Sequence, residues 1–299
     1  TPRAPIPPDM VAPLAPKGSN EFDDPGAPAI DQPMLISNFA GIPDDQNSAG
    51  FRFFPPDPIC AAGPNHIMAA TNTDFAIFDK SGVKIKEIDA TLWFENVLPG
   101  LDPALSEPFG IAYDPQIVYD HFEDRWAMIY IADDNSSQSY LLLSVSDDSN
   151  PVGIWYNYAV PGNANGSNFN TFQNDYPKLG IDDYNFYITA NMFDLAGSGF
   201  QYVQLRIIEK FQIYNNPTGA LTYIDFWDLR DPDNLPQKLN PAATLAPAVT
   251  FGSPGVEYLI NASPYTTGTF MTLWTVPNPA TPDSLTAVNV PVTAYDYPP

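Results

Sequence analysis

A short unit of text recurs along this chain at a spacing that few folds use. Asp57-Pro58 precedes Gly63-Pro-Asn-His66 and an apolar run to Ala70. Asp114-Pro115 precedes Tyr119-Asp-His-Phe-Glu-Asp-Arg-Trp126 and a run to Tyr130. Asp175-Tyr-Pro177 precedes Gly180-Ile-Asp-Asp-Tyr-Asn-Phe186 and a run to Ala190. The three aspartates stand 57 and 61 residues apart. A fourth unit, at Gly255-Val-Glu-Tyr-Leu-Ile-Asn-Ala262, repeats the strand and turn text without the aspartate.

Each unit reads as an aspartate near a proline, a short strand, a turn, and an aromatic or aliphatic strand. The segments between are β-type runs bounded by Asp, Asn, Gly and Pro clusters. Arg125–Ile131, for example, is expected to pair with Tyr140–Val145 across the Asp133-Asp-Asn-Ser-Ser137 turn. No segment keeps a 3.6-residue period beyond two turns, and 34 prolines argue against long helices. The expected fold is therefore all-β and β-propeller-like, with four-stranded antiparallel blades of about 60 residues. Four units, or five with a strand near Met34–Asn38, fall short of a complete ring, so an incomplete or partner-completed ring is expected.

The residues Pro55-Pro-Asp57 with Gly63-Pro-Asn-His66, Asp114-Pro-Gln-Ile-Val-Tyr-Asp120 with Arg125-Trp126, and Asp175-Tyr-Pro-Lys-Leu-Gly180 resemble a secreted or cell-surface bacterial or archaeal β-propeller family that is largely uncharacterised. The resemblance implies a fold and an extracellular or cell-surface location. It implies no reaction. The chain opens Thr-Pro-Arg without Met, which reads as the product of signal removal. Thr1 to about Pro33 is a Pro-rich, extended leader, with the propeller-type domain over 34–299. Such a leader cannot order itself, so it is expected to dock on a protein partner or on a second copy, or to run across its own blades.

Charge narrows the partners. Thirty-five acidic against 12 basic residues give a net charge of −23, which repels nucleic-acid phosphate and anionic lipid. No apolar run approaches the length of a membrane helix, so no membrane insertion is expected. Cys60 is the only cysteine and His66 and His121 the only histidines, so zinc chemistry is poorly supplied. Asp57, Asp114 and Asp175 sit at equivalent blade positions, which a propeller brings around one axis. Carboxylates held together repel unless a cation neutralises them, so Ca²⁺ is the expected cofactor. Asp120, Asp182 and Asp183, on the following turns, are second candidates. Asp is also a common turn cap, which is the plain reading of each one singly.

Catalytic signatures are scarce: there is no nucleophile elbow, zinc-protease motif, phosphate loop or dinucleotide fingerprint. No catalytic residue is assigned. Trp126 reads as a core residue. Tyr184, Tyr187, Trp155, Tyr156 and Tyr158 read as blade packing, with a glycan platform as the alternative. Asn135, Asn165 and Asn261 begin glycosylation sequons. The expectation is a non-enzymatic, calcium-stabilised binding or scaffolding module, with self-assembly and glycan binding as partner classes. The alternative is a secreted carbohydrate-active hydrolase with a carboxylate-based site.

Overall fold

The computed structural model describes residues 38–43, 53–101, 109–195, 199–215, 220–230, 232, 242–262 and 267–296. The chain divides into two compact units, Thr1–Asn38 and Phe39–Pro299, and apart from Asn38 the described residues all belong to the second. The Pro-rich leader and the strand expected near Met34 lie outside the described residues, Asn38 aside.

Four antiparallel sheets follow one another, each a four-stranded meander in strict chain order. The first holds β1 (Ile59–Ala62), β2 (His66–Ala70), β3 (Asp74–Asp79) and β4 (Lys84–Asp89). A one-turn helix follows, α1 (Ala90–Phe94), capped by the Asp89 carboxylate, which accepts from the Thr91 and Leu92 amides. The second sheet holds β5 (Tyr113–Asp120), β6 (Arg125–Asp133), β7 (Ser139–Ser146) and β8 (Trp155–Pro161). A two-residue-stranded hairpin, β9 (Ala164–Asn165) and β10 (Asn168–Phe169), leads to the third sheet. That sheet holds β11 (Phe172–Ile181), β12 (Asn185–Asp194), β13 (Gly199–Glu209) and β14 (Ile224–Phe226), with α2 (Lys210–Tyr214) between its last two strands. The fourth holds β15 (Ala246–Pro247), β16 (Glu257–Ala262), β17 (Thr267–Val276) and β18 (Thr286–Asp296).

The first strands of successive sheets are neighbours: β1 lies beside β5, β5 beside β11, and β11 beside β15. That is the blade arrangement of a β-propeller, with each meander running outward from the axis. The expected four-stranded blades are present.

Packing explains the sequence pattern. A strand within a blade alternates faces with period two, yet both faces are covered by neighbouring blades. In β6, Trp126, Met128, Tyr130 and Ala132 enter the core between blades one and two. Ala127, Ile129 and Ile131 enter the core between blades two and three. The strand therefore reads as a nearly unbroken apolar run instead of an alternation. Blades three and four share a third core around Tyr187, Val203, Leu205, Leu259 and Trp274. Trp126 is fully buried, and its indole N–H donates to the Ser149 carbonyl at 3.0 Å, as a core tryptophan should.

Polar ties lock the blades at their ends. Lys210 on α2 reaches Asp120 at the end of β5, 2.7 Å away, with both side chains buried. Arg206 on β13 grips Asp225 on β14 through two hydrogen bonds and also donates to the Ala164 carbonyl. No helix among the described residues is long and apolar enough to cross a membrane.

Candidate active site

One backbone device recurs in each blade, at or near the start of the inner strand in three of them and at the bulge within β11 in the third blade. Asp57, Asp114, Tyr176 and Thr244 all hold a left-handed φ, between 44° and 54°. Such a conformation is costly for a residue with a side chain, and its repetition in four blades shows that the packing enforces it. In the first three blades the next residue is Pro58, Pro115 or Pro177, whose fixed φ returns the chain to extended backbone after the left-handed residue. The repeat read from sequence matches Asp57 and Asp114. In the third blade the left-handed place falls one residue later, on Tyr176, beside a bulge between Asp175 and Lys178. In the fourth blade it falls on Thr244, which no Asp-Pro pair announces.

Hydrogen bonds tie these positions together across blades. Asn72 donates to the Asp57 carboxylate at 2.7 Å and accepts the Asp114 backbone N–H at 2.7 Å. The Asp114 carboxylate accepts the Tyr176 backbone N–H at 2.9 Å. Asn191 accepts the Thr244 N–H at 2.7 Å. The left-handed turns thus aim amides across the blade joints, and the aspartates gather at one end of the inner strands.

The aspartates act on one another electrostatically. Burial first, then the charges of Asp175 and Asp57, push the Asp114 carboxyl up to about 6, against the Tyr176 amide and the Lys178 ammonium. Burial and the Asp57 charge also raise Asp175. Burial lowers Lys178, while Asp114, Asp57 and Asp175 each pull the other way. The Lys178 ammonium sits 3.2 Å from the centre of the Tyr176 ring. Burial holds the Tyr113 phenol well above its usual range, with Asp133, Asp114 and Asp175 adding to it.

The predicted metal set is split by this geometry. Asp57, Asp114 and Asp175 share the end just described. Asp120, Asp182 and Asp183 stand at the opposite ends of β5 and β11, and two of them have structural duties. Asp120 is bound by Lys210, the Tyr214 hydroxyl and the Phe122 amide. Asp182 accepts the Tyr184 and Asn185 amides and the Tyr187 hydroxyl. No group of three His, Cys, Asp or Glu among the described residues is placed to hold a metal ion. The three aspartates are therefore not drawn together as a metal-ligating group, and Lys178, on the strand of Asp175, lies within their electrostatic reach. Lys178 is the residue that sequence reading missed. Its signal was its place beside Pro177 in the third repeat.

Other expectations are settled residue by residue. Asn261 is buried, its amide donating to the Ala262 carbonyl and accepting the Trp274 indole N–H, so its side chain is closed to glycosylation. Asn165 accepts the Tyr202 hydroxyl. Asn135 is exposed, in a left-handed turn. Of the residues weighed as a platform, Tyr187 is fully buried, Trp155 packs edge-on against Trp93, Tyr184 is exposed at the other end of the blade, and Tyr156 and Tyr158 neighbour each other on β8. A cleft of about 450 Å³ lies at that other end, lined by Tyr184, Gln212, Tyr223 and Asp283. None of the converging aspartates lines it, so the site is placed by the chemistry of the carboxylates and not by the cleft.

Glu257, at the start of β16, was not singled out. It is wholly buried, accepts the Thr250 hydroxyl at 2.6 Å and the Ala248 amide at 3.1 Å, and is pushed up to about 8 by burial, with the Asp182 charge adding to it. Its partners are all within the joint of blades three and four, which makes it structural.

No family model matches the chain, and no curated protein does. Solved structures similar to it include a xylan β-1,4-xylosidase from Bacillus halodurans C-125, at 14% identity over 80% of this chain and 42% of that one, with a TM-score of 0.44. An exo-β-1,3-galactanase from Phanerochaete chrysosporium follows at 9% identity, 85% and 53% coverage and a TM-score of 0.41. An α-L-arabinofuranosidase from Clostridium thermocellum ATCC 27405 is similar at 13% identity, 78% and 72% coverage and a TM-score of 0.38. One further similar structure, a β-xylosidase/α-arabinofuranosidase from a compost microbial metagenome, is described as a calcium-free form. The chain spans about half the length of the first two. No residue role is carried over from any of them. All of them are glycoside hydrolases, and the expectation of a module that binds or scaffolds without catalysing is corrected on that finding.

Proposed function

We propose that this chain is a carbohydrate-active hydrolase module whose chemistry sits at the converged carboxylates. The observation that supports the reading is Asp114: a carboxyl poised near pH 6, flanked by two further carboxylates and a lysine, at the end of the inner strands. A carboxylic acid that keeps its proton up to about pH 6, beside a second carboxylate, is the kind of pair that glycoside hydrolysis uses.

In this reading Asp114 donates its proton to the glycosidic oxygen as the C–O bond breaks. Asp57, oriented by Asn72, takes a proton from the attacking water, whose oxygen bonds to the anomeric carbon. Asp175 and Lys178 set the field around Asp114, the first holding its proton on and the second easing it off. The balance is one water consumed and one glycosidic bond cleaved. The base-poor acidic surface suits neutral sugars better than polyanions, and the reading goes with action outside the cell.

The experiment is release of sugar from a panel of aryl β-xylosides, α-L-arabinofuranosides and β-galactosides across pH 4 to 8. Turnover strongest at mildly acidic pH, falling by about 100-fold or more in Asp114→Asn with folding intact, is the expected result. An inert panel, or Asp114→Asn as active as the parent, overturns it.

A further inference from the structure

The cleft of about 450 Å³ at the far end of the inner strands takes no part in the hydrolase reading. It lies between turns of blades three and four. Tyr184 comes from the β11–β12 turn, Glu209 from the end of β13, Tyr223 from the entry to β14, and Asp283 from the β17–β18 turn. Its volume is within the range of about 300–1,000 Å³ that small-molecule sites occupy.

The side chains that a ligand would meet are of two kinds. Two are aromatic. Tyr184 is 45% exposed, a large ring left open to solvent. Tyr223 is half-buried, with the Arg206 guanidinium 3.8 Å from its ring centre. The other two are acids. Glu209 and Asp283 are exposed, and neither carboxylate has a hydrogen bond or an ion pair among the described residues.

The nearby cations are already committed. No base is among the described residues that line the cleft. Lys210, next to Glu209 in the chain, is buried against Asp120, and Arg206 is paired with Asp225. The amides at the cleft are engaged as well. Gln212 donates to the Thr222 carbonyl at 2.8 Å and accepts the Thr222 N–H at 2.8 Å. Asn185 donates to the Pro279 carbonyl at 2.7 Å and the Tyr187 hydroxyl at 3.1 Å. The cleft therefore offers ring faces and free carboxylate oxygens, and few side-chain donors.

A ligand that fits brings donors and positive charge. An anion is repelled by two like charges, and a neutral polyol leaves its own acceptors unanswered. Two carboxylates fall short of the about six to eight oxygens that calcium takes. An ammonium or guanidinium group only donates, carries the needed charge, and is attracted by aromatic faces. We propose that this cleft binds an organic cation, headed by a primary ammonium or a guanidinium, which lies against Tyr184 and pairs with Glu209 and Asp283. A free amine and a basic side chain of a partner protein share that chemistry.

Titration calorimetry of the full chain at low ionic strength tests this, with n-butylammonium, ethylguanidinium and a short Gly-Lys peptide as probes and xylose as the neutral control. The expected result is saturable binding of the cations, weakened by added salt, and none of xylose. Tyr184→Ala should weaken it by about 3- to 30-fold, the range of one cation–π contact, at an unchanged melting temperature because the ring already meets solvent. Glu209→Gln with Asp283→Asn should weaken it further and reduce its salt dependence. Asp114→Asn, at the opposite end, should bind as the parent does. Tighter binding of the peptide than of butylammonium assigns the cation to a partner's basic segment, and equal binding assigns it to a free amine; both uphold the site. Absence of saturable binding by any cation overturns the proposal. So does Tyr184→Ala binding as well as the parent, since the attraction would then belong to the acidic surface at large, and so does xylose binding as tightly as the cations. None of these readouts uses turnover, so the hydrolase reading stands or falls separately.

Discussion

The backbone N–H of Tyr176 points at the carboxylate of Asp114 from the adjacent blade, 2.9 Å away. This bond favours the anionic form of Asp114, yet burial and two neighbouring carboxylates outweigh it and leave the group near 6. A raised folded-state pKa means that the folded chain binds the proton more tightly than the unfolded one. The resulting stability is whole below the ordinary carboxylate range and is lost as pH rises through about 6.

Asp114→Asn removes that cost. At pH 8 the variant should be more stable than the parent by about 1 to 2 kcal/mol, a figure reduced for the partial solvent exposure of the site. At pH 4 the two should unfold alike. Urea titrations at both pH values check it. A variant less stable than the parent at pH 8 would show that the asparagine loses more in hydrogen bonding than it gains in charge.

Glu257 makes a second window, higher on the pH scale. Its carboxyl is raised to about 8, so it is protonated at neutrality and must ionise inside the joint of blades three and four as the solution becomes alkaline. Stability should fall as pH rises from the ordinary carboxylate range up to about 8, and level off above it. Glu257→Gln, which keeps the shape and cannot ionise, should flatten that slope. The measurement is melting temperature against pH for both proteins, and parallel curves would sink the assignment.

Gly180 tests the closeness of the inner strands. On β11 a Cβ at this position would stand 2.2 Å from the Ala248 carbonyl oxygen, which itself accepts the Ile181 amide at 3.0 Å. Backbone cannot yield there without breaking the parallel bridge between Ile181 and Val249. Gly180→Ala should therefore cost about 1 to 3 kcal/mol or more by denaturant titration. A neutral substitution would mean that blades three and four are looser than they appear.

Much of this architecture was legible because a repeat is hard to hide. The Asp-Pro spacing marked three inner strands, and the apolar run from Trp126 to Ile131 told of a strand covered on both sides. The site was legible only in part. Asp57 and Asp114 hold equivalent places, but Tyr176 takes the third turn because the left-handed place is set by the proline that follows and not by the aspartate. Thr244 carries no proline after it and so escaped notice. Calcium was inferred from three carboxylates alone, and the electrostatic reach of Lys178 to them appears only in the folded chain. Glu257 reads as an ordinary strand-end glutamate until a neighbouring blade buries it.

The ion pair between Asp120 and Lys210 carries the last test. Both side chains are within 3% of complete burial, and the carboxylate is also held by the Tyr214 hydroxyl at 2.7 Å. The pair joins the end of β5 to α2, so it bridges blades two and three. Removing one partner leaves the other charged and dry, which costs far more than the pair itself contributes. Asp120→Ala and Lys210→Met should each destabilise the chain by about 3 to 5 kcal/mol. The double variant strands no charge, so it should recover a large part of that loss. Tyr214→Phe, which removes one donor and keeps the ion pair, should cost about 1 kcal/mol. Chemical denaturation of the four variants gives the cycle. Additive losses, with the double variant as unstable as the sum of the singles, would show that the two groups act independently and that the blades are held by apolar packing alone.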